Sequence, residues 1–261
     1  MTDPSTTAAG ARALLFLCLA ALLGAMLFAV NRLMLPAWSL ALVALAVFSF
    51  ACGKTVTGRW LGALIDERNV ISLSRFQAVL WTLLVLSAYL TAALYNIFSG
   101  QTLPLKIEIQ EELWWLIGIS TSSLVASPLI LNTKAEKVAD ATEVSGTFST
   151  LQRQNETDST PATKGHIVVN TDISGARWSD MFTGEEVGNA AHMDVARLQM
   201  FSFTIITVIA YGVVLGHMFA GDLSHGIASL PTLDKSMVAL IAISHGGYLS
   251  SKAVPHSLTG A

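Results

Sequence analysis

Apolar residues along this chain are gathered into long runs separated by short polar connections. Five runs are clear: Ala13–Val30, Ala37–Cys52, Phe76–Phe98, Leu113–Leu131 and Leu198–Ala220. A sixth, from Met237 to about Val254, is weaker because His245 and several small polar residues interrupt it. A helix that crosses a bilayer needs roughly 17–25 mostly apolar residues. The runs therefore predict about six transmembrane helices, with the second and sixth marginal. No run carries Asp or Glu in its middle, as expected where a buried charge is costly. Tryptophans stand at or near the run ends: Trp38, Trp60, Trp114, Trp115 and Trp178. That is the pattern of an interfacial belt.

The expected fold class is an all-α, polytopic membrane helix bundle. An N-terminal hairpin of two helices occupies 1–54, and two further units follow at 55–131 and 177–261. Between them, 132–176 is polar. Its centre, Thr142–Gly165, is rich in Ser, Thr, Gln and Asn and reads as a flexible linker. His166-Ile-Val-Val could form a strand, but no partner for it is evident.

Lys and Arg give the orientation. With a cytoplasmic N-terminus and six spans, twelve of these residues lie inside and only Arg32, Lys106 and Lys235 outside. Positive charge is retained on the cytoplasmic side, so both termini are expected there, in a plasma (bacterial inner) membrane. The first run is expected to be a retained helix and not a cleaved signal, because it is long and no cleavage site precedes a soluble domain.

Composition agrees with this reading. Apolar residues make up 52% of the chain and charged ones 13%. Soluble domains carry about 25% charge. The net charge of −3, with no basic tract, argues against nucleic acid as a partner. Cys18 and Cys52 both lie in apolar runs and have no metal-binding spacing.

Polar residues repeat in order along the chain. Arg59-Trp60, Glu67, Asn69, Arg75, Gln77, Thr82 and Tyr89 are followed later by Arg177-Trp178, Glu185, Asn189, Arg197, Gln199, Thr204 and Tyr211. Leu103-Pro104 then matches Leu230-Pro231, Ser120 matches Ser244, and Ser127 matches Ser251. We read this as a duplicated unit of an interfacial segment, a long helix, an outer loop and a second helix. An even number of helices per unit gives both copies the same orientation, related by a pseudo-twofold axis along the membrane normal.

The repeat supplies the candidate residues. Arg75, Thr82 and Tyr89, like Arg197, Thr204 and Tyr211, are seven apart and so lie on one stripe of each helix. Such a polar stripe should face protein or water. His245 is the one ionisable side chain well inside a run, with Ser244 beside it and Ser120 at the position aligned with Ser244. It suits either a hydrogen-bonded structural histidine or a proton-sensitive site. Trp60 with Glu67, and Trp178 with Glu185, mark two membrane-lying elbows that could dock a cytosolic protein.

No nucleophile elbow, HExxH motif or intramembrane aspartate pair occurs, so no catalytic residue, metal or cofactor is expected. Two functions remain. The first is a non-catalytic scaffold or signalling subunit that binds a cytosolic partner, or a second copy, at its cytoplasmic face. The second is a small ion or solute channel or transporter with a path between the repeats.

Overall fold

The computed structural model describes residues 4–154 and 161–260. Its helices are α1 (Pro4–Val30), α2 (Met34–Thr57), α3 (Leu73–Phe98), α4 (Glu111–Ala135), α5 (Ala141–Gln154), α6 (Val195–Ala220) and α7 (Lys235–Ala253). One hairpin joins β1 (Pro161–Lys164) to β2 (Ile167–Asn170). Five helices are long and apolar enough to cross a membrane: α1, from Ala13 onward, α2, α3, α4 and α6. This is an integral membrane protein. The sixth run forms α7, which has 19 residues. At the helical rise of about 1.5 Å per residue it reaches about 29 Å. Its serines, glycines and His245 keep it below the hydropathy of the other five.

The described chain divides into two compact units, each containing stretches from several helices. The first holds the residues up to Ala63, Val79–Ile117 and Ile205–Val238. Here α1 packs on α2, and Ala25 and Ala29 of α1 and Ala37, Ala41 and Ala44 of α2 are buried. Small residues let helix backbones approach closely where no hydrophobic effect drives association. Gly24 seats Leu40, since a Cβ there would lie 2.8 Å from Leu40 Cδ2. Gly58, at φ +73°, ends α2 in the left-handed conformation, its N–H bonded to Lys54 O at 3.0 Å, as is usual for a glycine just past a helix. Asn96 joins the loops that follow α3 and α6: Nδ2 donates to Pro104 O and Ile227 O, and Oδ1 accepts from Ile227 N.

The second unit holds Leu64–Ala78, Gly118–Thr204 and Ala239–Ala261. It contains one end of α3, α4, α6 and α7 together with the polar connection. That connection is not the flexible linker expected at 132–176. Asp140 caps α5, its Oδ1 accepting from Thr142 N and Glu143 N, each at 2.9 Å, which satisfies amides that lack a helical partner. Val144, Thr147, Phe148 and Leu151 form a half-buried face of α5, at the i, i+3, i+4, i+7 spacing of a helix. Serines, threonines and a glycine dilute that face and hide its period. Residues 155–160, in the middle of the expected linker, lie outside the described residues.

The hairpin corrects a second expectation. The strand at Ile167 does have a partner, the segment just before it: Pro161 pairs with Asn170 and Lys164 with Ile167. The fold is thus mostly helical, as expected, but not purely so. The turn needs Gly165, which sits at φ +59°, a conformation that glycine adopts without steric cost. A side chain there would also collide with the carbonyls of Ala135 and Lys137.

The segments preceding α3 and α6 share a local design. The isolated bridge Ile65↔Ile71 precedes α3, and Thr183↔Met193 precedes α6. Ser72 N bonds to Leu64 O and Asp194 N to Phe182 O, both at 2.8 Å. Asp66 N bonds to Val70 O at 3.0 Å, and Gly184 N to His192 O at 3.2 Å. Both helices then run for 26 residues. Near their other ends Tyr89 donates to Leu105 O and Tyr211 to Pro231 O, each at 3.1 Å.

Candidate functional site

Two adjacent glutamates organise the second unit. Glu185 and Glu186 lie in the elbow before α6, on a segment pinned to the hairpin. Val168 N donates to Glu185 O and Val187 N to His166 O, each at 2.9 Å. Asn189 Oδ1 accepts from Glu186 N at 3.0 Å. Gly184 leaves space for the Asn189 side chain.

Three cations surround the Glu185 carboxylate. Arg197 Nη2 is 2.6 Å away, Arg68 Nη2 2.9 Å and Lys252 Nζ 2.9 Å. Arg68 is shared with Asp66, through Nη2 at 2.6 Å and Nε at 3.0 Å. Arg197 also faces Asp194, 3.5 Å from its Nε. Burial alone would raise the Glu185 carboxyl, but Arg197, Arg68 and Lys252 outweigh it and hold it well below the usual carboxylate range, because nearby positive charge favours the ionised form. Burial also disfavours the Arg68 cation, yet Glu185 and Asp66 prevail and raise it.

Glu186 forms a second buried pair. Its Oε1 accepts from Lys134 Nζ, and its Oε2 lies 3.9 Å from His166 Nδ1 and accepts from His256 N. Lys134 also donates to the carbonyls of Lys252 and Val254, so the ends of α4 and α7 are tied to the elbow by one ammonium. The void among Lys134, Glu185, Glu186, Arg197 and Lys252 measures about 10 Å³. That is room for a single water.

From this cluster a file of polar side chains follows α7. Lys252 donates to Ser127 Oγ and lies 4.6 Å from the Tyr248 ring centroid. The Tyr248 hydroxyl is 3.3 Å from both Ser74 Oγ and Ser127 Oγ. Further along, His245 Nδ1 and Ser123 Oγ are 2.6 Å apart. Ser127 and Ser123 are buried on α4, as are Lys252 and Tyr248 on α7. Each pair is four residues apart and so stacks one turn above the other.

Of the stripe residues, Arg197, Thr204 and Tyr211 are buried on α6, and Gln77 Nε2 donates to Thr204 Oγ1. The α3 stripe differs: Arg75 pairs with Glu67 at 2.6 Å, Thr82 is exposed and Tyr89 is half-buried. The two stripes do not form matched walls of one path. Among the elbow residues, Trp60 and Trp178 are about half exposed and Glu67 is exposed, but Glu185 is buried. Glu185 is therefore not a docking residue, because its carboxylate is consumed inside the protein.

His245 finds its partner on α4, at Ser123 and not at Ser244 or Ser120. Ser120 and Ser244 are buried, and their hydroxyls have no hydrogen-bond partner among the described residues. Arg68, Lys134, Glu186, Lys252 and Tyr248 escaped sequence reasoning as well. One signal was available: Lys134 and Lys252 sit at run ends, where a lysine reads as an ordinary headgroup anchor.

The Ser123–His245 contact has the composition of a nucleophile–base pair. Ser123, however, is fully buried within α4. The backbone N–H groups that could stabilise an oxyanion are engaged there in helix hydrogen bonds. The pair is better suited to holding α4 against α7. His245→Ala is expected to cost about 0.5–2 kcal/mol, in line with membrane hydrogen bonds. Thermal unfolding in detergent checks this, and a fluorophosphonate probe should leave Ser123 unlabelled.

Beside the Glu185 cluster lies a cavity of about 200 Å³, lined among others by Arg68, Gln152, Asn170, Arg177, Asp180 and Glu185. A cleft of about 290 Å³ lies against Asn189, His192, Asp194 and His256. Among the described residues no group of three or more His, Cys, Asp or Glu side chains is placed to hold a metal ion. No protein-family model, no curated protein and no solved structure matches this chain.

Proposed function

We propose that this chain is a non-catalytic, six-span protein of a plasma (bacterial inner) membrane that docks partners on a folded cytoplasmic cap. The observation that carries the reading is the ion-locked cap itself. Helix α5, the hairpin and the second elbow are bonded to one another and to the ends of α4 and α7 by buried groups. A mere tether would not need this. The Lys/Arg asymmetry favours the cytoplasmic side for the cap and for both termini, with α7 as the sixth span. The half-exposed Trp60 and Trp178 suit the headgroup level, where one ring edge is wet.

An internal duplication underlies the reading. It is supported by the matching bridges and hydrogen bonds before α3 and α6, their equal lengths, and the equivalent tyrosine contacts. The ion pair Glu67–Arg75 recurs as Glu185–Arg197 at the aligned positions, each at 2.6 Å. In this account the copies have diverged, one pair staying exposed while the other became the centre of the cap.

The second reading, a channel or transporter, draws on the polar file along α7. Towards the other ends of the helices, though, Leu113 and Leu116 on α4 and Val238 and Ile241 on α7 are buried, with Glu112 the buried charged residue in the first turn of α4. Such a file would be a dead end. The docking partner is a cytosolic protein or a second copy. Ala242, Gly246 and Ser250 are exposed on α7, and small residues at this spacing would allow a second copy to approach closely.

Photo-crosslinkers placed in cells at exposed Thr142, Gln152 and Leu258 test the reading, with Leu103 and Thr232 as controls. The proposal expects discrete adducts from the first three and none from the controls. Adducts absent from the cap, together with ion flux through proteoliposomes of the purified protein, would replace it with the channel reading.

A further inference from the structure

We propose that the cavity of about 200 Å³ beside Glu185 is a binding site for a small phosphate-bearing ligand, held by Arg177 and the free edge of Arg68. This goes beyond partner docking and does not depend on it. The cavity opens between the hairpin, the last turn of α5 and the elbow that carries Ser179 and Asp180. It is smaller than the roughly 300–1,000 Å³ of pockets for drug-sized molecules.

Four charged side chains line it, and their hydrogen-bonding capacity is unequally spent. Glu185 is engaged by three cations. Asp180 Oδ2 accepts from Arg177 N at 2.7 Å and Ile71 N at 3.1 Å. The two cations have donors to spare. Arg68 spends Nε and Nη2 on Asp66 and Glu185, and its Nη1 has no acceptor among the described residues. The half-buried Arg177 guanidinium has neither a hydrogen bond nor an ion pair among the described residues; only its backbone N–H is engaged. Asp180 is near enough for its charge to be felt, but not in direct contact with that guanidinium. A guanidinium partly removed from water without a direct counter-ion is an incomplete arrangement.

Two planar guanidinium edges meeting at one cavity match the tetrahedral oxygens of a phosphate, which arginine recognises through paired hydrogen bonds. Ser179 and Thr183 also line the cavity. Their hydroxyls can serve the same oxygens or the rest of the ligand. The phosphate could belong to a soluble metabolite or to a lipid headgroup.

The test uses the full chain in nanodiscs, with inorganic pyrophosphate as the soluble probe and phosphatidic acid doped into the disc as the lipid probe. Calorimetry at physiological salt should show saturable pyrophosphate binding, or saturable stabilisation by phosphatidic acid. Whichever is seen should weaken at least about tenfold in Arg177→Gln, the loss of a charge-assisted hydrogen bond. Lys164→Gln, which removes an exposed charge from the same hairpin, should leave it unchanged. Pyrophosphate binding makes the ligand soluble; a response to phosphatidic acid alone makes it a headgroup. The unliganded melting temperature of Arg177→Gln should match wild type, since that guanidinium makes no hydrogen bond among the described residues. Binding of neither probe, equal binding by Arg177→Gln, or equal weakening by Lys164→Gln would overturn the proposal.

Discussion

Glu185→Ala is expected to destabilise the protein by about 3–5 kcal/mol, because it leaves Arg68, Arg197 and Lys252 facing one another without their shared carboxylate. The gross attraction within a buried ion pair is largely offset by the desolvation of its partners, so the intact cluster need not be strongly stabilising. Removing one member is different, since the charges left behind remain desolvated. Asp66 and Asp194 offset part of the excess through Arg68 and Arg197, but Lys252 has no second carboxylate in ion-pair contact among the described residues. Glu185→Gln should cost less than Glu185→Ala, since an amide oxygen still accepts hydrogen bonds. Glu67→Ala provides the internal comparison. Its pair with Arg75 is largely exposed, and exposed pairs contribute about 0–1 kcal/mol. Thermal unfolding of the three variants in one detergent measures the difference.

Acid should loosen the cap by the same route. Glu185 has a folded-state pKa depressed below its unfolded value of about 4.3. Its stabilising contribution is therefore fully present above that unfolded value and is lost as pH falls through the depressed folded one. Asp180 works with the opposite sign. Burial raises its carboxyl, against the pull of the backbone N–H groups of Arg177 and Ile71 and the charges of Arg68 and Arg177. Its contribution is greatest below the unfolded pKa and declines as pH rises through the folded one. Glu185 has three direct ion partners, so the net expectation is a cap stable at neutral pH that loosens only in acid, as pH falls below the unfolded carboxylate value towards the depressed folded one. Fluorescence of Trp178, in edge contact with Phe76 at 6.0 Å between centroids, reports the opening. In Glu185→Gln the part of the acid transition that comes from this carboxyl should be absent, while the pairs of Asp66, Asp194 and Glu186 remain.

The spanning helices were legible because a bilayer imposes a length and a composition that little else does. The cap was not. The half-buried face of α5 consists of Val144, Thr147, Phe148 and Leu151, and Thr147 within it and Ser145, Gly146 and Ser149 between its members lower the average to that of a linker. The hairpin depends on Gly165 and on pairing that a single short strand does not reveal. The ion cluster was hidden for a different reason. Arg68, Glu185, Arg197 and Lys252 are spread along the sequence, and each has an ordinary reading as a surface or headgroup charge. Only the fold shows that they converge. His245 could be singled out, because one imidazole in an apolar run is conspicuous, but its partner Ser123 was one serine among several on α4.

Amide hydrogen–deuterium exchange on the full chain in nanodiscs tests the central claim, a folded cap locked by buried ions, most directly. The account expects slow exchange at Val168 and Val187, whose N–H groups bond to Glu185 O and His166 O, and at the α5 amides from Val144 to Leu151. It also expects Glu185→Ala to accelerate exchange at these amides while those of α1 and α2 stay protected. If wild-type residues 132–176 exchange as fast as an unfolded chain, the cap does not exist as described and the docking function proposed for it fails.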